Sequence, residues 1–185
     1  MNEVAHVDDV DLKGLDLQTD LALLGRWLRS PHVVRWWGTP DLYLTALAQR
    51  SSDTHAVITA DGRPVGYVCW QRPSPSELEA AGLTDLPEDL VDIDILIGEP
   101  ELLGRGLGPR ALVLLLAKLH REGVGLAGLG TSSSNRAAIR AFEKAGFRRF
   151  SDFEDPEYGP SKYMVAQLSG AVEQPVAADG AARRR

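Results

Sequence analysis

The amino-acid sequence predicts a single α/β domain built on a mixed sheet, and three observations carry that prediction. The dipeptide Asp61-Gly62, the strongest hairpin signal in the chain, separates two strand-like runs, His55–Ala60 and residues 64–70. From residue 91 onward, strand-like and helix-like segments alternate, as they do in α/β chains. The length, 185 residues, is that of one domain with a real core.

In chain order, Thr19 and Asp20 are placed to cap a first helix, in which Leu21, Leu24, Trp27 and Leu28 follow the helical period. Ser30-Pro31 breaks it, and a short turn over residues 32–37 ends at Gly38. Pro40 and Asp41 open a second helix that runs to about Gln49. The hairpin strands follow. Residues 72–90 hold three prolines and many acids and read as a long loop with room for a helical turn. Loops of that length inside a compact domain are usually functional. Val91–Ile97 is the third strand, followed by a glycine-rich turn and a strongly apolar helix over residues 109–121. Residues 125–131 make a fourth strand, and residues 135–145 a helix stopped by Gly146. Two late strands, residues 147–153 and 162–168, close a domain of residues 1–168. Residues 169–185, rich in Ala, Gly and Pro with three terminal arginines, are expected to be a disordered tail.

Hydrophobic residues make up 44% and charged residues 25%, values ordinary for a soluble protein. The one cysteine, Cys69, forms no internal disulfide, and its apolar neighbours suit a small buried hydrophobe. The N-terminus is polar, without a signal peptide, and the most apolar helical run, residues 111–119, is far shorter than the roughly 20 residues that span a bilayer. The expectation is a cytoplasmic protein with no membrane partner. A net charge of −6 argues against nucleic acid, which needs a basic face, and is compatible with a cationic substrate.

The turn Leu102-Leu103-Gly104-Arg105-Gly106-Leu107-Gly108 joins a strand to a helix. Alternating glycines let successive N–H groups converge on one concavity at the positive end of a helix dipole, which makes an anion nest. Pro109 suits the first helical position, and Arg105 can add a charged contact to a phosphate. The turn is not a P-loop, because no Gly-Lys-Ser/Thr ending follows, and it lacks the third glycine of the dinucleotide fingerprint.

Some thirty residues on stands Ser134-Asn135-Arg136-Ala137-Ala138-Ile139-Arg140-Ala141-Phe142-Glu143-Lys144-Ala145-Gly146-Phe147. Together with the glycine turn, this stretch resembles the GNAT superfamily of acyl-CoA-dependent N-acyltransferases. The resemblance implies one GNAT-type domain with a mixed, mostly antiparallel sheet, flanking helices and a V-shaped split between two central strands. It implies acetyl-CoA as co-substrate and no metal. Leu96 and Ile97 would pair through their backbone with the pantetheine arm. Leu103, Gly104, Arg105, Gly106, Leu107 and Gly108 would hold the pyrophosphate, and Asn135 and the helix bearing Phe142 would flank the pantetheine. Two departures stand out: Leu103 where the family often has Gln or Arg, and Phe142 where many members carry a tyrosine to protonate the leaving thiolate. Phenylalanine cannot donate a proton, and Tyr163 is one alternative donor.

Strand periodicity puts Asp92, Asp94 and Leu96 on one face and Val91, Ile93, Ile95 and Ile97 on the other. Carboxylates on a central strand are costly to bury without a task or a partner. Amine acylation supplies a task, since a base must take a proton from the ammonium form of the nucleophile. A backbone N–H near Leu96 is then the expected oxyanion donor. Asp94 stands ten residues before Gly104, a spacing that resembles the aminoglycoside 6′-N-acetyltransferases and implies Asp94 as base and substrate anchor. Trp36-Trp37-Gly38 and residues 159–165 carry the same resemblance, which makes Trp36 and Trp37 candidate substrate contacts; Asp92 is a further one from its place on the same strand face as Asp94. One acidic partner of that subfamily is Gly130 here. Asp152, Glu154, Asp155 and Glu157 either replace it or form a solvated loop. Two short segments, W-W-G and L-I-G-E-P-E, also resemble siderophore-type lysine N-acyltransferases, although those place a histidine where Asp94 stands. The expectation is direct acetyl transfer in a ternary complex to a primary amine, that of an aminoglycoside before others, by a monomer or homodimer. A siderophore-type or other small-amine acyltransferase is the first alternative, and a non-catalytic acyl-CoA-binding regulator the second.

Overall fold

The computed structural model describes residues 9–47, 52–87, 89–156 and 158–168. The elements run β1 (Val10–Gly14), α1 (Leu17–Leu28), α2 (Pro31–Trp37), α3 (Pro40–Leu47), β2 (His55–Ala60), β3 (Arg63–Gln71), α4 (Pro75–Ala80), β4 (Val91–Ile97), α5 (Leu107–Arg121), β5 (Leu126–Ser132), α6 (Arg136–Lys144), β6 (Arg148–Asp155) and β7 (Gly159–Gln167). One seven-stranded sheet holds them in the order β1-β2-β3-β4-β5-β7-β6. Every neighbouring pair is antiparallel except β4–β5. The predicted α/β class with a mixed, mostly antiparallel sheet is the observed one.

Several local expectations are corrected. The first strand, β1, was not foreseen; it pairs with β2 from Val10↔Ala60 to Gly14↔Ala56. Helix α1 starts earlier than the Thr19–Asp20 reading. Asp16 is its cap, accepting from Gln18 N at 2.9 Å, while Asp20 reaches back to Asp16 N at 3.0 Å. The turn expected over residues 32–37 is a helix, because Pro31 opens it rather than merely ending its predecessor. The long loop carries α4, opened by a capping box between Ser74 and Glu77. Helix α5 begins at Leu107, two residues before Pro109, because left-handed Gly106 (φ +79°) is its cap. The end foreseen for α3 near Gln49, and the tail over residues 169–185, lie outside the described residues.

The sheet is covered on both faces, and period two sorts the side chains between them. Val68, Trp70, Val91 and Ile93 pack against α5 residues Ala111, Leu112 and Leu115. Tyr67, Cys69 and Leu96 pack against Leu24, Trp27 and Leu28 of α1 on the opposite face. A third cluster, Leu78, Leu83, Leu86, Leu90 and Tyr163, seats the α4 segment against β7. Trp27, 1% exposed, pins the end of β4: its Nε1 donates to Glu99 at 2.8 Å, and Arg26 pairs with the same oxygen at 2.6 Å. A Cβ on Gly98 would stand 2.1 Å from the Trp27 ring, so only glycine fits there.

Candidate active site

The parallel pairing of β4 with β5 covers only Val91↔Ala127 and Asp92↔Gly128; beyond Asp92 the two strands part. This is the expected split between the two central strands, and the residues on either side of it line one continuous cleft with two arms. Trp36, Trp37, Ile95, Asn135, Ala138 and Phe142 line both arms, which locates their junction at the split.

The first arm, about 490 Å³, is bounded by the glycine turn, the end of β4 and α6. Leu103, Gly104, Gly106, Leu107 and Gly108 all line it. Gly104 (φ +77°) and Gly106 (φ +79°) adopt a backbone that L side chains avoid, and a Cβ on Gly104, Gly106 or Gly108 would meet nothing within 4 Å. The turn therefore presents bare backbone to open space at the N-terminus of α5, the geometry an anion needs. Its charged lining is cationic, Arg140 and Lys144 one turn apart on α6, and His32 of α2 lines it as well. No carboxylate lines this arm among the described residues. Arg105 is exposed in the turn and is not among the residues lining the arm.

Backbone direction along β4 refines the expected roles of Leu96 and Ile97. Gly98 N donates to Val65 O at 2.9 Å, and Leu96 lies opposite Tyr67. Alternate residues of a strand turn their backbone groups to opposite edges, so Leu96 faces β3 while Ile95 and Ile97 face the split. Ile97 O is 3.0 Å from His32 Nε2, which ties α2 to this edge. The Asn135 side chain caps α6 through Ala138 N at 3.2 Å while lining both arms. Phe142, 7% exposed, packs against Phe147 with ring centres 6.3 Å apart and also lines both arms.

The second arm, about 480 Å³, has the opposite polarity. Asp92 and Asp94 come from β4, Glu77 from α4 and Asp155 from β6, and no Lys, Arg or His lines it among the described residues. Of the four acids foreseen near the C-terminal end of the domain, Asp155 alone lines the arm among those described. Asp152 pairs with Arg149 and Lys162 instead, and hydrogen bonds from these two hold its carboxyl below the usual range. Glu157 lies outside the described residues. Asp94 is exposed to the cleft, whereas Asp92 lies deeper and accepts from Tyr163 Oη at 2.8 Å. Gly128 makes that contact possible, since a Cβ there would be 2.2 Å from the Tyr163 hydroxyl. Tyr163 lines the acidic arm and not the glycine-turn arm, so its proton is aimed at Asp92 rather than toward the phosphate end. Trp36 and Trp37 are both half-buried; Arg35 stacks over Trp36 at 4.7 Å, and Trp37 meets Tyr43 edge-on at 5.1 Å.

Burial and the neighbouring Asp94 charge push the Asp92 carboxyl up to about 7, against a smaller opposing effect of the Tyr163 hydrogen bond. The folded chain then keeps a proton that the unfolded chain loses near its ordinary carboxylate value. This contribution to stability is full below about pH 4 and is lost as pH rises through about 7. Asp92→Asn keeps an acceptor for Tyr163 and removes the ionisation. Its melting temperature relative to wild type should rise between about pH 5 and pH 8 in thermal denaturation, and a flat or falling difference would contradict this account.

Against this geometry, the comparisons with known proteins are decisive. The profile described as an acetyltransferase (GNAT) domain matches residues 16–154. The chain belongs to the GNAT acetyltransferases. Among relatives of this GNAT chain, aminoglycoside N(6′)-acetyltransferase type 1 of Klebsiella pneumoniae is 33% identical over 175 residues, covering 85% of this chain and 83% of the relative. The protein of the same description from Serratia marcescens matches with the same values. Among solved structures, the aminoglycoside acetyltransferase AAC(6′)-Ib with coenzyme A and kanamycin superposes with a TM-score of 0.70 at 30% identity, covering 86% of this chain and 95% of that one. The complex of AAC(6′)-Ib with ribostamycin and coenzyme A gives a TM-score of 0.71 at 30% identity, with 86% and 94% covered.

Two features of this GNAT site escaped the sequence reading. Arg140 and Lys144 have helical i, i+4 spacing, which was available as a signal, but only the fold shows that their side of α6 borders the glycine turn. Glu77 carried a capping-box signal in Ser74-x-x-Glu77 but none for the cleft. Among the described residues no group of three or more His, Cys, Asp or Glu is arranged to hold a metal, and no helix is long and apolar enough to cross a membrane.

Proposed function

We propose that this GNAT enzyme transfers the acetyl group of acetyl-CoA to a primary amine of an aminoglycoside, the 6′-amino group, directly within a ternary complex. The observation that carries this reading is the polarity of the cleft: a cationic arm with bare glycine backbone meets an acidic, cation-free arm at the split between β4 and β5. The first suits the phosphates of acetyl-CoA, and the second suits a substrate with several ammonium groups. Acetyl-CoA, when bound, supplies the activated acetyl group.

The chain's own residues do the rest. The backbone of Gly104, Gly106 and Gly108 receives the pyrophosphate, with Arg140 and Lys144 beside it. The free edge of β4 at Ile95 and Ile97 aligns the pantetheine and offers N–H groups at the reacting carbonyl. Asp94, exposed in the acidic arm beside Ile95, holds the ammonium group and takes its proton, so that the amine arrives neutral. Glu77 and Asp155 on the opposite walls hold further ammonium groups, and Trp36 and Trp37 exclude water from the junction.

A thiol-release assay with acetyl-CoA tests the reading against kanamycin, ribostamycin and free lysine. Turnover is expected with at least one of the two aminoglycosides and little with lysine. Preference for lysine would favour a siderophore-type acyltransferase. CoA binding without thiol release from any amine would favour a regulatory acyl-CoA-binding domain.

A further inference from the structure

We propose that a buried chain of hydrogen-bond donors, His55–Tyr67–Tyr43–Cys69, runs under the acidic arm and ends on Asp94, holding that carboxylate ionised and turned toward the substrate. The proposal rests on the reading of Asp94 as the base. Its geometry begins in strand register: His55 of β2 lies opposite Cys69 of β3, and Cys69 lies opposite Asp94 of β4, so the three stand in one row across the sheet. Tyr67, two residues before Cys69 and on the same face, reaches back to His55 Nδ1 through its hydroxyl and stacks on the ring at 5.9 Å. Tyr43 descends from α3 to join the two halves. Its hydroxyl lies 3.3 Å from that of Tyr67 and 3.0 Å from Cys69 Sγ. The last link is Cys69 Sγ to Asp94 Oδ2, at 3.8 Å.

The end of the chain fixes its direction. An ionised carboxylate only accepts, so Cys69 spends its one proton on Asp94. Tyr43 must then donate to Sγ, Tyr67 to the Tyr43 oxygen, and His55 to Tyr67 through a protonated Nδ1. Every proton in the row points toward Asp94, and each bond polarises the next, which strengthens the weak thiol donor at the end. Burial above all, with the Asp94 charge adding to it, pushes both Tyr43 and Tyr67 far above the ordinary phenol range, so these donors keep their protons.

Asp94 has need of such donors. Asp92 stands on the same face of β4, and Asp92 and Asp94 repel each other. Across the arm lies Tyr163 of β7, whose proton is directed at Asp92. From β3 and α3 the groups facing Asp94 are Cys69, Tyr67 and Tyr43. No cation lines the arm among the described residues, and these neutral donors help to offset the like charge.

The test uses the full chain, isotopically labelled, with the Asp94 carboxyl carbon followed by NMR through a pH titration. Tyr43→Phe and Cys69→Ala should each raise the Asp94 midpoint by about half to one pH unit, the size expected for losing a weak donor to a charge. Val57→Ala, in the same apolar cluster but outside the chain of donors, should lower the melting temperature and leave the midpoint in place. In the wild-type protein, the nitrogen shifts of His55 should show Nδ1 carrying the proton, a reading that requires no variant to fold. Unmoved midpoints in both variants, or a bare Nδ1, would overturn the proposal. With kanamycin as the amine, the acidic limb of kcat/KM should shift in the same sense. Shifted midpoints in a protein that fails to acetylate kanamycin would count against the proposed function and leave the donor chain standing.

Discussion

Asp94→Asn is expected to lower kcat/KM for the amine by about 10²–10⁴-fold at neutral pH, the usual cost of losing a positioned base. Asparagine keeps the shape and removes both the charge and the basicity. The carboxylate is exposed in the acidic arm beside Ile95, which lines both arms, while Asp92 lies behind it and is engaged by Tyr163. The loss should shrink as pH rises, because more of the amine then arrives already neutral. CoA affinity should be unchanged, since Asp94 lines only the acidic arm. Pre-steady-state kinetics across pH, alongside calorimetry with CoA, checks each part. Asp92→Asn is the internal comparison. If it abolishes turnover while Asp94→Asn stays near wild type, the base is the deeper carboxylate.

Gly108→Val should weaken CoA binding by roughly a hundredfold or more while the chain stays folded. Two lost hydrogen bonds to a charged phosphate, at about 1.5–3 kcal/mol each, are enough for that change. Gly108 is a better position for the test than Gly106. Both glycines face open space, but Gly106 has φ +79°, so a β-branched residue there would strain the backbone as well as fill the groove. Gly108 lies in the first turn of α5 with no such constraint, and valine is a better helix residue than glycine. Calorimetry with CoA should therefore show lost affinity at an unchanged melting temperature. Retained affinity in the folded variant would remove the phosphates from this turn.

The parts of the site that a reader could find in the sequence are those written locally. Gly104, Gly106 and Gly108 stand close together and announce a bare-backbone turn, and Asn135 announces the start of α6. Alternation along β4 puts Asp92 and Asp94 on one face without further help. What stayed hidden depends on distant partners. Tyr163 and Asp92 are 71 residues apart, and nothing local says that Gly128 opens the space between them. The row His55–Cys69–Asp94 depends on a register shift between Ile58 and Thr59 in the β2–β3 hairpin, which hairpin length alone does not reveal. Strand β1 offered too little pattern: of its five residues only Val10 is buried. Cys69 was rightly expected to be buried, at 2% exposure, but the apolar run around it concealed its polar neighbours.

The parting of β4 and β5 has one more consequence, for how the margins of the sheet are protected. A strand with unsatisfied N–H and C=O groups is a template on which another chain can grow a sheet. The two outer margins of this sheet are guarded by charge, with Asp11 and Lys13 on β1 and Arg148, Arg149, Asp152 and Glu154 on β6. Between Ile93 and Ile97 the inner margin carries a single charge, Asp94, and is otherwise apolar. It is recessed instead: Trp36 and Trp37 stand on one side of the opening, and Asn135, Ala138 and Phe142 on the other. A slender, flexible molecule can thread between those walls and run along the exposed backbone, whereas a foreign strand would have to bring its side chains and its own neighbours into the same recess.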